Sequence, residues 1–527
     1  MGYDVIVVGG GIAGLIATAY LSKAGKKVLL CEKQSNCGGL INSFERDGFV
    51  YDGGIRALED SGILFPMLDN LGIEIEFVKN HVSMGIEDKV IQFTSEESLA
   101  DYQTLLNDLY PESAAEIALI IEKIREIMYY MEIQYGIKNP MFLDFKKDRE
   151  YMLKKIMPWM FKYATTVGKI SAMNEPAENY LRQFTQNQAL LDIITQHFFQ
   201  KTPAFFALSY LKIYLDYNYP RGGTGKLIEA LVDFIRQQGG QIQTDCVIEN
   251  VDPARHQVRD QQGNLHEYRQ LIWAADNRTL YQLLDLSALN SQKQRETIQA
   301  RQQLLEDKRG NDSIFTLYLA VNRDRQAFEK IASEHFFYTP KRDGQSQAGP
   351  IPYGQSREAA EQWLGKYFAL TTYEIACPVM RDASLAPEGK TGLIISVLFD
   401  YQFTKQIQEQ GWYEEFKKLC EELMINALDQ SIFPDIHAEV IHQFSSTPLT
   451  MEQLTGNHEG AITGWSFLNE VMPAESRLTR IMNAVRTPVA DVWQAGQWTY
   501  SPSGLPISIL TGKIAADQVS RKLGKRK

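Results

Sequence analysis

Asp4-Val-Ile-Val-Val-Gly9-Gly-Gly11-Ile-Ala-Gly14, followed by Leu15-Ile-Ala-Thr-Ala-Tyr-Leu21 and then Lys27-Val-Leu-Leu-Cys-Glu32, is the stretch that decides the fold. It reads as a strand, a glycine turn, a helix, a second strand and a terminal acid. Gly9 permits the tight turn, Gly11 lets backbone approach a pyrophosphate, and Gly14 lets the helix pack closely on the sheet. Ile12 and Ala13 open the helix, whose free N–H groups and positive dipole end favour phosphate. Glu32 lies at the end of the second strand, where a carboxylate accepts from ribose hydroxyls. A glycine turn without a ligand is the plainer reading of GxGxxG alone; strand, helix and acid in register with it point to dinucleotide binding.

Downstream come Lys33-Gln-Ser-Asn-Cys-Gly38-Gly39-Leu40 and Tyr51-Asp52-Gly53-Gly54. Here the chain resembles the flavin amine oxidase and phytoene desaturase superfamily, in which a Gly-Gly turn that touches the cofactor follows the acid, and an Asp-x-Gly element follows that turn. FAD is longer than NAD and needs further side-chain-free backbone beside it. Tyr219-Pro-Arg-Gly-Gly223 precedes an amphipathic helix with Leu227, Leu231, Phe234 and Ile235. Cys246-Val247-Ile248 is strand-like, and Leu271-Ile-Trp-Ala-Ala-Asp276 reads as a strand returning to the nucleotide sheet. Val492-Trp-Gln-Ala-Gly496-Gln-Trp, then Ser503-Gly504-Leu505-Pro506 and a helix to Leu523, is similar to the closing FAD segment of phytoene desaturases and retinol saturases. Two positions depart from the pattern. Arg56 stands where many relatives carry histidine, and Gln497 where related groups place an acid. Both leave the reaction type open, and Arg56 is the one candidate for chemistry.

The resemblance implies an α/β architecture: a Rossmann-type, glutathione-reductase-like FAD-binding domain, a mixed-sheet substrate domain and a helical insertion. The nucleotide domain is expected in three pieces, 1–80, 216–285 and 476–527. Between them lie a mainly helical insertion at 81–215 and a mixed-sheet substrate domain at 286–475. The expected cofactor set is Gly9, Gly11, Ile12, Ala13, Gly14, Glu32, Lys33, Gly38, Gly39, Leu40, Asp52, Gly53, Val247, Gly496, Gly504, Leu505 and Pro506. The function implied is FAD-dependent hydride transfer at C–C or C=C bonds of a long isoprenoid or polyene: desaturation, saturation or isomerisation. A flavin amine oxidase and a flavin-free prenyl-lipid carrier of the same fold are the alternatives. The carrier relatives lose the glycine pattern that is intact here.

The chain has 527 residues, 44% hydrophobic and 23% charged, enough for more than one packed domain. Its net charge of −11 argues against nucleic acid as a partner. Cys31, Cys37, Cys246, Cys377 and Cys420 form no CxxC pair, which fits reduced thiols in a cytoplasmic setting and no metal site. There is no second GxGxxG between a strand and a helix, no HExxH and no GxSxG. Arg221-Gly-Gly-Thr-Gly-Lys226 imitates a phosphate loop, but Leu227 stands where a magnesium-binding hydroxyl belongs, so it reads as a structural turn.

One region departs from the acidic average. Residues 138–169 carry eight basic side chains against three acids, interleaved with Met152, Leu153, Ile156, Met157, Trp159, Met160 and Phe161. This suits an interfacial segment on anionic lipid, and equally a core helix with a solvated basic face; Pro158 is expected to bend or divide it. The basic tail Arg521–Lys527 reads as a solvated end. The segment His197-Phe-Phe-Gln-Lys-Thr-Pro-Ala-Phe-Phe206 with Tyr210, Tyr214 and Tyr217 suits either core packing or the lining of an apolar tunnel. Thr447-Pro448 and Gly460–Gly464 resemble a stretch that nears the flavin ring in phytoene desaturase relatives.

Overall fold

The computed structural model describes residues 2–144, 146–287, 289 and 291–524. The last three residues of the basic tail, 525–527, lie outside them. The opening stretch folds as read: strand Tyr3–Val8, helix Ile12–Lys23, strand Val28–Cys31. All four residues of Val28–Cys31 are buried, as expected of a parallel strand covered on both faces. Around this unit a seven-stranded sheet forms. Its parallel core runs Gln241–Gln243, Val28–Cys31, Tyr3–Val8 and Leu265–Trp273, with Val492–Gln494 pairing beyond. The antiparallel strands Ile248–Asp252 and Gln257–Asp260 extend one edge. The expected strand at Leu271–Trp273 is therefore the hinge of the sheet: it pairs with the first strand and with a strand more than 200 residues later.

The helices Ile12–Lys23, Gly225–Gln237 and Leu505–Leu523 share one apolar core. Gly512 of the last helix lies so close to the first that a Cβ there would sit 2.5 Å from the Ala13 carbonyl oxygen.

A second seven-stranded sheet runs Val440–Ser446, Ser313–Val321, Thr391–Phe399, Tyr373–Ala376, His335–Thr339, Val82–Ile86 and Lys89–Phe93. Its pairs are antiparallel except His335–Thr339 with Val82–Ile86. Helices Arg357–Leu370, Tyr401–Glu409 and Tyr413–Asp429 build the core on it. The hairpin Val82–Phe93 lies within the stretch 81–215 that the sequence reading gave to a helical insertion. Its β-rich composition needs a sheet to bury it, and His335–Thr339 supplies the edge.

Helices Ser98–Leu109, Ala114–Tyr135, Gln188–Thr195 and Ala204–Tyr214 form a further core, with Ala114–Tyr135 as one unbroken element. Pro158 does not divide its helix. Residues Met152–Ile156 widen into a π turn just before the proline, and helical backbone continues without a break through Ala172.

Candidate functional site

Between the two sheets lies a cavity of about 1240 Å³, larger than a pocket for one drug-sized molecule. One end is bounded by Gly9, Gly11, Ile12, Ala13, Glu32 and Lys33, and the wall continues through Gly38, Gly39, Leu40 and Arg56. Val247 lines it from just before the strand Ile248–Asp252, and Gly496, Gly504 and Leu505 from the carboxyl-terminal segment. The amino-terminal turn and the distant closing loop thus meet at one space. Two helices, Ile12–Lys23 and Leu505–Leu523, begin at it with Gly11 and Gly504 as their N-caps, presenting backbone N–H groups and positive dipole ends.

The glycines divide the work. A Cβ on Gly11 would meet no protein atom within 4 Å, so that position faces open cavity. A Cβ on Gly14 would sit 1.9 Å from the Gly9 carbonyl oxygen and 3.3 Å from the Ala274 Cβ, so Gly14 serves packing. Glu32 is held by its own loops: the Gly10 N–H donates to Oε2 at 2.5 Å and the Gln34 N–H to Oε1 at 2.8 Å. A cavity of this size, with side-chain-free backbone and two helix starts, fits a dinucleotide.

Four of the expected cofactor residues do not line the cavity: Gly14, Asp52, Gly53 and Pro506. Asp52 is a buried suture. It accepts from Ser43 Oγ (2.7 Å), Tyr219 OH (2.7 Å), and the N–H (2.9 Å) and Oγ1 (2.8 Å) of Thr224. Those bonds fix the Arg221–Lys226 turn against the strand Phe49–Asp52, which makes the turn structural. Gly53 gives room to Asn42, whose Oδ1 would lie 2.0 Å from a Cβ there, and Pro506 sits in the first turn of the terminal helix. Lys33 lines the cavity, but its ammonium donates to the Gln453 carbonyl at 3.0 Å and latches the helix Pro448–Thr455 over that end. Val247 has its backbone N–H bonded to Gln261 Oε1 at 2.7 Å. Ile462 and Thr463 reach the wall, while Thr447 caps the Pro448–Thr455 helix instead.

The far wall is aromatic. His197, Phe198, Phe199, Phe206, Tyr210, Tyr214 and Tyr217 all line it, so the aromatic run serves the cavity as well as the core. Phe337 stacks on Tyr214 at 4.9 Å, and His335 on Tyr217 at 5.4 Å. Burial pushes His197 down to about 4.

A polar strip crosses this apolar wall, contributed by the second sheet. Arg56 is buried; its guanidinium donates to the Asp52 carbonyl (2.6 Å) and to Ser396 Oγ (2.9 Å), and its Nε has no partner. Ser396 lies across the ladder from Glu374, and His335 Nε2 stands 2.9 Å from Glu374 Oε1. Burial lowers His335, and its Nδ1 is buried without a partner; a neutral ring donating from Nε2 satisfies both facts. Burial pushes the Glu374 carboxyl up, but the His335 hydrogen bond with the charges of Arg56 and Arg381 outweighs it and holds Glu374 below the ordinary value. Glu59 is another acid of the cavity wall. Burial pushes it up to about 8, against the pull of its own backbone N–H, and Asp216 adds to the rise. Glu59, Glu374 and His335 were not singled out in the sequence because no local motif marks them; the strands that carry them meet only in three dimensions.

Cys246, Asp260 and His266 bring ligand-type atoms within 4.8 Å of one another. The Asp260 carboxylate already accepts from the N–H groups of Gln262 and Asn264, from Asn264 Nδ2 and from His266, which explains it as the organiser of its hairpin turn.

Residues 7–71 match the family of NAD(P)-binding Rossmann-like domains. The 4,4'-diapophytoene desaturase (4,4'-diaponeurosporene-forming) of Staphylococcus aureus strain bovine RF122 / ET3-1 is 21% identical, with 98% of this chain and 99% of that protein aligned. The similarity to that desaturase runs over nearly the whole of both chains. Among solved structures, an oxidoreductase from Methanosarcina mazei superposes with a TM-score of 0.59 at 15% identity, covering 98% of this chain and 99% of that one. Putrescine oxidase bound to putrescine gives 0.58 at 13%, covering 98% and 99%. These likenesses show the fold, an α/β architecture shared with solved oxidoreductases. The curated relative and the solved neighbours carry different activities, so the cavity wall has to distinguish the chemistry.

Proposed function

We propose that this protein is an FAD-dependent oxidoreductase acting on carbon–carbon bonds of a long isoprenoid or polyene lipid. The observation that carries this reading is the continuity of one cavity from the dinucleotide turn to the aromatic wall. Bound flavin would supply reversible hydride transfer. Gly9, Gly11, Ile12, Ala13 and Glu32 would hold its adenosine and pyrophosphate end, and Gly38, Gly39, Leu40, Gly496, Gly504 and Leu505 the remainder. The aromatic rings from His197 to Tyr217 orient an extended apolar chain and exclude water from it. Full-length similarity to a diapophytoene desaturase supports the same substrate class.

The helical segment 149–172 supports a membrane route for that substrate. Leu153 (55%), Met157 (51%), Met160 (56%) and Phe161 (75%) are exposed, beside Lys154, Lys155 and Lys162. Apolar side chains in water next to lysines fit an anionic bilayer surface better than a solvated helix. Among the described residues no helix is long and apolar enough to cross a membrane. Beyond the segment, the backbone N–H of Phe205 donates to Met173 and that of Ala204 to Glu175, which ties its far end to the cavity-lining aromatic run.

The test is direct. Purified protein should show flavin absorption bands, and solvent extraction should release a polyene or isoprenoid. Turnover of diapophytoene-type polyenes in liposomes supports the reading. Peroxide release with putrescine, and none with polyenes, replaces it with amine oxidation.

A further inference from the structure

Two of the carboxyl groups that line the cavity, Glu374 and Glu59, have surroundings that drive them in opposite directions. Glu374 has a hydrogen-bonding histidine and the field of Arg56, and stands ionised. Glu59 has neither. It ends the two-residue strand Leu58–Glu59, which pairs with Tyr217–Asn218, and it is partly accessible from the cavity. Its Oε1 lies 3.7 Å from the point where a Cβ on Gly504 would be, beside the start of the terminal helix. The titratable groups around it are Tyr135 from the long helix, Tyr210 from Ala204–Tyr214, Tyr217 from the paired strand, and Asp216. None is a cation. Lys79 acts on Asp216, and Lys138 on Asp60, rather than on Glu59. An acid with no counter-charge, set among tyrosines in a cavity wall, keeps its proton at neutral pH.

We propose that Glu59 is the catalytic residue that exchanges a proton with the substrate carbon, a reading that rests on the carbon–carbon redox function proposed above. In the saturating direction a C=C π bond breaks. Its electron pair forms a C–H bond with the Glu59 proton at one carbon, while the other carbon receives hydride from reduced flavin, and Glu59 is left as carboxylate. In the desaturating direction the carboxylate takes the proton from one carbon as hydride leaves the other to oxidised flavin. The balance needs only the flavin named here. Glu374, ionised and bonded to His335, lacks the proton for the first direction; it stabilises positive charge developing on the chain.

Two measurements on the flavin-loaded protein decide. The first is an infrared pH titration of wild type against Glu59→Gln, which reads the carboxyl carbonyl stretch independently of turnover. A protonated-carboxyl band that disappears with a midpoint near 8, and is missing from E59Q, supports the proposal; no such difference, or a midpoint in the ordinary carboxylate range, overturns it. The second is polyene turnover in D2O. E59Q should keep its flavin content yet lose roughly a hundredfold or more in rate and in solvent-deuterium exchange, with Glu59→Asp recovering part of both. Wild-type-like exchange in E59Q overturns the proposal alone. A wild type inert toward every polyene overturns the carbon–carbon reading and the proposal together.

Discussion

A Cβ at Gly11 meets nothing, while one at Gly14 lands 1.9 Å from a carbonyl oxygen, and this difference separates binding from folding three residues apart. Gly11 also has φ of −70°, which any residue adopts. Gly11→Val should therefore fold with a wild-type far-ultraviolet spectrum and lose its flavin, because the branched side chain fills the space before the helix N-terminus. Gly14→Val should fail to accumulate as folded protein. Equal flavin-to-protein absorbance ratios in wild type and Gly11→Val would contradict the placement of the dinucleotide. Glu59 gives a residue-scale prediction about stability. Its folded pKa, about 8, lies above the ordinary 4.5, so the folded state is favoured below pH 4.5 and loses stability as pH rises toward 8. Glu59→Gln removes that loss. Denaturant midpoints of the flavin-free protein should match wild type near pH 4.5 and favour the variant by on the order of 2–4 kcal/mol at pH 9, allowing for screening by cavity water. Equal midpoints at both pH values would count against a neutral Glu59.

At the scale of elements, the first strand–turn–helix–strand unit was legible because each glycine and the acid answer a local demand. The helix Ala114–Tyr135 and the strand Ser313–Val321 carry the apolar patterns of their elements. Asp52 stands apart from the cavity for a physical reason. An acid two residues before a second glycine is the same in sequence whether it faces a ligand or stitches a turn, and only the position of Thr224 and Tyr219 decides. His335 and Glu374 lay beyond local reading because register brings them together, His335 opposite Ala376 and Glu374 opposite Ser396, while Glu59 comes to the cavity from a separate small sheet. The suture at Asp52 makes its own prediction. Asp52→Ala leaves the Thr224 N–H, Tyr219 OH and Ser43 Oγ without their acceptor and joins no new partner to them. It should cost about 3–5 kcal/mol in denaturant unfolding. A loss under about 1 kcal/mol would show that the turn holds without it.

The whole molecule joins three features that no single element contains: a glycine-lined cavity end, an aromatic wall on the second sheet and insertion, and an exposed basic-apolar helix beyond that wall. The chain is net −11, so long-range electrostatics oppose an anionic bilayer and only the local patch favours it. Binding to anionic vesicles should therefore weaken as salt screens Lys154, Lys155 and Lys162, yet persist in part through Leu153, Met157, Met160 and Phe161. Replacing Met160 and Phe161 by glutamate removes the part that salt spares. It should abolish sedimentation with phosphatidylglycerol vesicles while flavin content and melting temperature stay at wild type, since neither side chain belongs to the buried core. Turnover of polyene embedded in those vesicles should fall with vesicle binding, and turnover of the same polyene in detergent micelles should not. Vesicle binding that survived both high salt and the double substitution would place the lipid route on another face of the molecule.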